Sequence, residues 1–233
     1  LELGGKNPMI VRADAPLDRA VDGAIRGSFA NAGQLCIATE RLYVHRSRYE
    51  PFVDAFAAKV RNIQLGAGFD YSADLGSLTY EHQLLKVEEH VHDAVEKGAE
   101  VCAGGRARPD IGPLFYEPTV LTGVTPEMRI YSDETFGPVV SVYPFSSDDE
   151  AVELANATSY GLNASIWTAD VKTAMGMARR IQAGAVNINE AYSAAWGSVD
   201  APLGGRKDSG LGRRHGAEGL LKFTESQTVA VQK

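Results

Sequence analysis

The feature that most constrains this chain is a change of period near its start. Pro8-Met9-Ile10-Val11-Arg12 is a short apolar run ending at Asp14, which reads as a strand. Leu17, Ala20, Val21, Ala24, Ile25 and Phe29 then recur at the spacing of one helix face, with Pro16 suited to the first turn. A strand of about six residues spans roughly 20 Å. A helix of about sixteen residues spans roughly 25 Å. A helix folded back antiparallel to the strand therefore returns the chain near Ala32 to the strand's beginning near Asn7. The segments flanking those points, Leu1-Glu2-Leu3-Gly4-Gly5-Lys6 and Asn31-Ala32-Gly33-Gln34-Leu35-Cys36, are then expected to share one edge of a sheet.

The alternation continues downstream. Strands are expected at Arg41–His45, around Val101, at Val139–Tyr143, at Ala164–Trp167 and at Ala185–Ile188. Between them, Tyr49 to Ile63, Leu84 to Val95 (closed by Gly98), Ala151 to Ala157, Val171 to Ile181 and Gly216 to Lys222 carry helical spacing. Strands alternating with helices predict an α/β fold: a parallel sheet with helices on both faces, in three αβα layers. Residues 66–76 read as a polar surface connection. Residues 190–214, rich in Gly and Ser, break the alternation, and so long a segment without regular structure is usually functional or disordered.

The chain has 233 residues, 44% hydrophobic and 23% charged, with a net charge of −7. It can bury a sizeable core, and its acidic balance argues against a nucleic-acid surface. No apolar run approaches the roughly 20 residues that span a bilayer, so neither membrane nor nucleic acid is an expected partner. Two cysteines, Cys36 and Cys102, are too few for a disulfide framework, and a reducing cytoplasm is the expected location. Cys102 lies in an expected strand, where packing is its simplest role. His90 and His92 stand two apart on a helix and face different ways, and His82 and His215 have no partner at ligand spacing, so no metal site is expected.

Cys36 stands in a loop of small residues after a helix end. Residue types alone leave a buried structural thiol and a nucleophile equally open. Glu2, beside two glycines that let backbone approach closely, supplies a carboxylate that could make a covalent-catalysis pair with it. Gly4-Gly5-Lys6 fits neither the G-x-G-x-x-G nor the P-loop pattern. The helix before Cys36 would present its C-terminus, whose dipole does not favour a thiolate.

Leu1-Glu2-Leu3-Gly4-Gly5-Lys6, Gly33-Gln34-Leu35-Cys36 and Asp133-Glu134-Thr135-Phe136-Gly137-Pro138-Val139, in that order and spacing, resemble the aldehyde dehydrogenase superfamily over essentially the whole chain. The resemblance implies that Cys36 attacks an aldehyde, that a hydride passes to NAD or NADP, and that Glu2 activates the water that hydrolyses the resulting thioester. It also implies that Glu134 binds the nicotinamide ribose, that Phe136 packs near the ring, and that Lys86, with Gln83 one turn away, lies near the adenine-side ribose. The residues alone would make Glu134 a turn residue, Phe136 core and Lys86 a solvated helix face. Trp196 and Ser198 are implied beside the substrate tunnel, against the plainer reading of a glycine-rich surface loop.

The same resemblance implies three parts: residues 1–6 as the end of a nucleotide-binding half carrying the general base, 7–222 as the catalytic domain, and 223–233 as a C-terminal strand for association into a homodimer or tetramer. The chain opens at Leu1 inside a motif. The expectation is therefore the C-terminal catalytic part of a longer enzyme, inactive without its cofactor half. Gln34-Leu35-Cys36-Ile37 and Ser209-Gly210-Leu211-Gly212-Arg213-Arg214 look most like succinic-semialdehyde-dehydrogenase-type members. Many of those carry an arginine six residues before the nucleophile, where this chain has Ala30. Glu2 favours a free-acid product over acyl transfer to coenzyme A. Two other classes compete: a non-catalytic assembly module using Gln227–Val231 as an edge strand, and a cysteine hydrolase, disfavoured because no histidine is placed beside Cys36.

Overall fold

The computed structural model describes all residues except Phe69, Tyr71 and 194–196. The first strand, β1 (Asn7–Val11), leads into α1 (Leu17–Phe29), which returns to β2 (Thr39–His45) and α2 (Tyr49–Arg61). Then follow α3 (Glu81–Glu96), β3 (Glu100–Ala103), β4 (Thr119–Thr122), α4 (Arg129–Ser132), β5 (Val139–Phe145) and α5 (Asp148–Asn156). The rest comprises β6 (Tyr160–Gly161), β7 (Asn163–Trp167), α6 (Val171–Ala178), β8 (Ala185–Ile188), β9 (Arg206–Lys207) and α7 (Gly216–Leu221).

Seven of these strands form one sheet in the order β3-β4-β5-β2-β1-β7-β8. Every neighbouring pair is parallel except β3 with β4, which is antiparallel at the edge. β1 lies between β2 and β7, with Met9 opposite Leu42 and Ser165. Alternation across the pleat assigns the two faces. Met9, Val11, Leu42 and Val44 join the cluster containing Ala20, Val21 and Phe29 of α1, Phe52 and Phe56 of α2, and Val87 of α3. Ile10, Tyr43, Phe145 and Ile166 join Ala151 and Val152 of α5 and Ala174 and Met177 of α6. Both faces are covered, which gives the three αβα layers.

Some expectations needed correction. The helices expected to run to Ile181 and Lys222 end at Ala178 and Leu221. Residues 190–214 are not without structure. Arg206–Lys207 pairs antiparallel with Tyr160–Gly161, Leu203 bridges Arg214 and Gly210 bridges Glu2. Its glycines and prolines signal local irregularity, while its order comes from partners remote in sequence. Cys102 is half-buried in β3, with its sulfur 3.5 Å from Thr122 Oγ1. Residues 223–233 are exposed and form no strand within the chain. Among the described residues no helix is long and apolar enough to cross a membrane, and no cluster of three metal-ligating side chains occurs.

Candidate active site

The expected juxtaposition follows from β1 and β2 being parallel neighbours, with Asn7 opposite Thr39. The segments before these strands converge on the segment before β5, and glycines are the points of closest approach. A Cβ on Gly5 would lie 2.6 Å from the Cys36 carbonyl oxygen. One on Gly33 would lie 2.1 Å from the Gly137 oxygen, and Gly33 also has a φ of +69°. One on Gly4 would lie 2.7 Å from Glu134 Oε2. At Gly5 and Gly33 only a residue without a side chain allows backbone this close, whereas Gly4 faces the tip of the Glu134 side chain. All three motifs meet at the amino ends of β1, β2 and β5, three neighbouring strands inside the sheet.

Side-chain amides fix the Cys36 loop from beneath. Asn7 Nδ2 donates to the carbonyls of Cys36 at 2.9 Å and Ala38 at 2.7 Å, while Asn7 Oδ1 accepts from the backbone N–H of Asn163 at 2.9 Å. Asn163 Nδ2 donates to Ala191 O at 3.0 Å, and Asn187 Nδ2 donates to Asn163 Oδ1 at 2.8 Å. Carbonyls freed where a loop enters a sheet need such donors when buried. Cys36 itself is half-buried beside a small apolar cluster of Ile37, Leu162, Ala191, Tyr192 and Leu203, which Ala30 also touches.

Burial pushes the Cys36 thiol above its ordinary value, the nearby Glu2 carboxylate adds to that rise, Arg214 opposes it, and Glu134 raises it further. Glu2 and Cys36 thus share an electrostatic neighbourhood. Glu2 is 41% exposed, and its Oε1 lies 3.0 Å from Arg214 Nε. The angle there makes the contact an ion pair rather than a hydrogen bond, because Arg214 Nε has no hydrogen-bond partner among the described residues.

Glu134 is half-buried, and its Oε1 accepts from the Gly5 backbone N–H at 2.8 Å. Burial raises its carboxyl above the usual range, partly offset by that hydrogen bond and by Lys86 and Lys6. No hydrogen bond to Oε2 occurs among the described residues, which leaves that oxygen for a hydroxyl donor. Lys86 is half-buried on α3 and acts on Glu134. Gln83 is committed elsewhere: its Nε2 donates to the carbonyls of Thr135 at 2.8 Å and Phe136 at 2.9 Å. Phe136 is half-buried with a φ of +53°. Ser198 is exposed in a turn, its carbonyl accepting from Ala201 N–H at 3.1 Å. Trp196 lies outside the described residues.

Sequence reasoning missed what supports this loop. Lys6 and Glu40 form a buried pair, Nζ to Oε2 at 2.5 Å, with side chains 1% and 4% exposed. The Glu40 carboxylate also accepts the backbone N–H groups of Thr135 and Phe136, both at 2.9 Å. His90 Nδ1 lies 3.1 Å from Thr135 Oγ1. Buried Arg41 donates to the carbonyls of Lys6, Leu154 and Ala155. The available signal was charge at strand positions 40 and 41, where a buried strand should be apolar.

Other cavities among the described residues lie away from Cys36. One of about 590 Å³ includes Arg61, Arg106 and Arg108, whose guanidiniums are engaged by Cys102 O, Glu117 and Asp110. Another, about 440 Å³, has Phe29 and Ala30 in its wall.

The profile of the aldehyde dehydrogenase family matches residues 1–229. A putative succinate-semialdehyde dehydrogenase [NADP(+)] 2 of Mycobacterium tuberculosis is 58% identical over the whole chain, which covers 45% of that protein. A 3-sulfolactaldehyde dehydrogenase of Pseudomonas putida is 42% identical over 99% of the chain and 47% of its own length. The chain thus spans about half the length of the curated relatives it matches. Among solved structures, betaine aldehyde dehydrogenase of Staphylococcus aureus in complex with NAD+ superposes with a TM-score of 0.91 at 39% identity, over 96% of this chain and 44% of that one. The NAD+ complex of an aldehyde dehydrogenase from Bacillus cereus gives 0.91 at 43% identity, over 97% and 45%.

Proposed function

Because the chain belongs to the aldehyde dehydrogenase family, we propose that it carries the nucleophile and the base of an NAD- or NADP-dependent oxidation of an aldehyde to a carboxylic acid. The observation that carries this reading is the convergence of the Glu2, Cys36 and Glu134 segments through Gly4, Gly5 and Gly33. Succinate semialdehyde is the substrate we favour, supported by the names of the relatives at 55–58% identity.

The Cys36 sulfur attacks the carbonyl carbon as a thiolate, forming a C–S bond and leaving an oxyanion. The Cys36 backbone N–H, given to no carbonyl among the described residues, would donate to that oxyanion. A dinucleotide, when bound, would supply the acceptor for the hydride that leaves the former aldehyde carbon with its two electrons. A thioester then remains on Cys36. Glu2 takes a proton from water as its oxygen adds to the thioester carbon, the C–S bond breaks, and thiolate and acid separate. Glu134 and Lys86 suit the dinucleotide: a half-buried carboxylate with one uncommitted oxygen matches ribose hydroxyls, and a nearby ammonium offsets its charge. Exposed Phe223, Val229 and Val231 support association of the C-terminal segment with another subunit.

The test uses the protein that carries this chain. C36S is expected to abolish both the NAD(P)H burst and steady-state turnover. E2Q is expected to keep a burst near one equivalent while steady-state turnover falls about 10²-fold or more. Wild-type turnover in C36S would refute the reading. A substrate panel including succinate semialdehyde, run with each dinucleotide, tests the specificity.

A further inference from the structure

Two separate backbone ladders bring Glu2 and Arg214 together. Leu3 N–H donates to Ser209 O at 3.0 Å and Leu211 N–H to Leu1 O at 3.1 Å, with Glu2 bridged to Gly210 between them. Arg214 and Leu203 exchange two backbone hydrogen bonds, both 2.7 Å. The strap between these ladders is anchored by Ser209, which is fully buried and whose Oγ accepts from Gly161 N–H at 2.9 Å. The two side chains are about 40% exposed, yet neither backbone is free to wander.

A base that must reach water beside a thioester has to stand close to the sulfur. Its negative charge there opposes the earlier step, in which the sulfur must itself become negative. Among the described residues, the charged groups acting most strongly on the thiol are the Glu2 and Glu134 carboxylates and the Arg214 guanidinium. Arg214 is the only cation among them. We infer that Arg214 is a positioning residue: it stations the Glu2 carboxylate near Cys36 and offsets its charge while the thiol attacks. This rests on the reading of Cys36 as nucleophile and Glu2 as base. An ion pair that is angled, between side chains about 40% exposed, is weak, so the carboxylate can turn from the guanidinium to a water molecule once the thioester has formed.

The experiment compares R214Q, R214K and E2Q in the protein that carries this chain. The readouts are iodoacetamide alkylation of Cys36 against pH, the NAD(P)H burst and steady-state turnover. In R214Q the alkylation midpoint is expected to rise by about half a unit to one unit, a three- to tenfold slower reaction near neutral pH. The burst should persist while steady-state turnover falls about tenfold or more. R214K, which keeps the charge and the backbone pairing with Leu203, should restore the midpoint and most of the turnover. E2Q should move the midpoint the opposite way, downward. If R214Q matches wild type while E2Q is inactive, the inference about Arg214 is overturned and the reading of Glu2 stands. If E2Q turns over normally, that reading itself fails. Should R214Q unfold early in a melting curve, R214K decides: a midpoint or turnover that stays displaced there overturns the inference.

Discussion

Replacing Lys6 with methionine would leave the Glu40 carboxylate, 4% exposed, without its counter-charge. Removing one partner of a buried ion pair costs about 3–5 kcal/mol. Glu40 keeps its bonds from the Thr135 and Phe136 N–H groups, which favour the charged form and place the expected loss near the lower end, about 3 kcal/mol. In the double variant K6M/E40Q both charges are gone, and the glutamine oxygen can still accept from both N–H groups. Its cost should fall to about 1–2 kcal/mol, the scale of one lost hydrogen bond and imperfect packing. Urea unfolding followed by tryptophan fluorescence reads this directly. With a slope of about 3 kcal/mol per molar, K6M should lower the midpoint by about 1 M, and the double variant should recover about half of that. The damage should also reach the dinucleotide, because the Glu134–Phe136 loop hangs on Glu40: KM for NAD(P) should rise more than kcat falls. K6M within about 1 kcal/mol of wild type, or a double variant less stable than K6M, would refute this view of the pair.

His90 is held down to about 4, chiefly by burial and then by the charges of Lys6 and Lys86. Its unfolded value is near 6.5, so between these limits the unfolded chain binds more protons, and stability falls as pH falls from about 6.5 through about 4. The shift corresponds to about 3 kcal/mol at most, and about 2 kcal/mol after allowance for residual hydration of the ring. H90N should lose about that much less stability than wild type between pH 7 and 4 in urea titrations, and equal losses in the two proteins would contradict the assignment. G33A drives a Cβ to 2.1 Å from Gly137 O at a positive φ, and should cost about 2–4 kcal/mol and slow Cys36 alkylation. G176A, in α6 with nothing within 4 Å of the added Cβ, should instead stabilise by about 0.4–1 kcal/mol, so melting temperatures of opposite sign are the check.

The elements legible in the sequence were those whose pattern is complete within one window. Helices α1 and α2 bury one face each, so Ala20, Val21, Ala24, Phe52, Phe56 and Val60 announce them by spacing. By contrast, Thr119–Thr122 carries four buried residues of mixed polarity and escaped notice, and Arg129–Ser132 is a single turn. The two-residue strands exist only because Tyr160–Gly161 and Arg206–Lys207 find each other. The site divides in the same way. Cys36, Glu2 and Glu134 stood out through family resemblance and the strand–helix geometry. The amide network of Asn7, Asn163 and Asn187, the Lys6–Glu40 pair and the Glu2–Arg214 contact leave no periodic trace, because each is made between strands or loops distant in the chain.

Where the site lies on the sheet explains why its charges are arranged as they are. Open parallel sheets commonly bind ligands beyond the carboxyl ends of their strands. Here Cys36, Gly5 and Gly137 precede Thr39, Asn7 and Val139, and Asn163 is itself the first residue of β7, so the cluster lies at the amino ends. A crossover helix that returns to the start of a parallel strand points its C-terminus at that end. α1, finishing at Phe29, does so shortly before Cys36. Its dipole places partial negative charge toward the thiol, adding to burial and to two carboxylates that already raise it. Among the described residues, the main charges acting on the thiol include no cation from a regular element. The cation comes from Arg214, on an irregular strap pinned by backbone pairing to Glu2's own segment and to Leu203. Had the nucleophile stood at the carboxyl ends, a helix N-terminus could have stabilised the thiolate. At the amino ends that work would fall to side chains, and the Arg214 guanidinium beside Glu2 is the cation placed to do it.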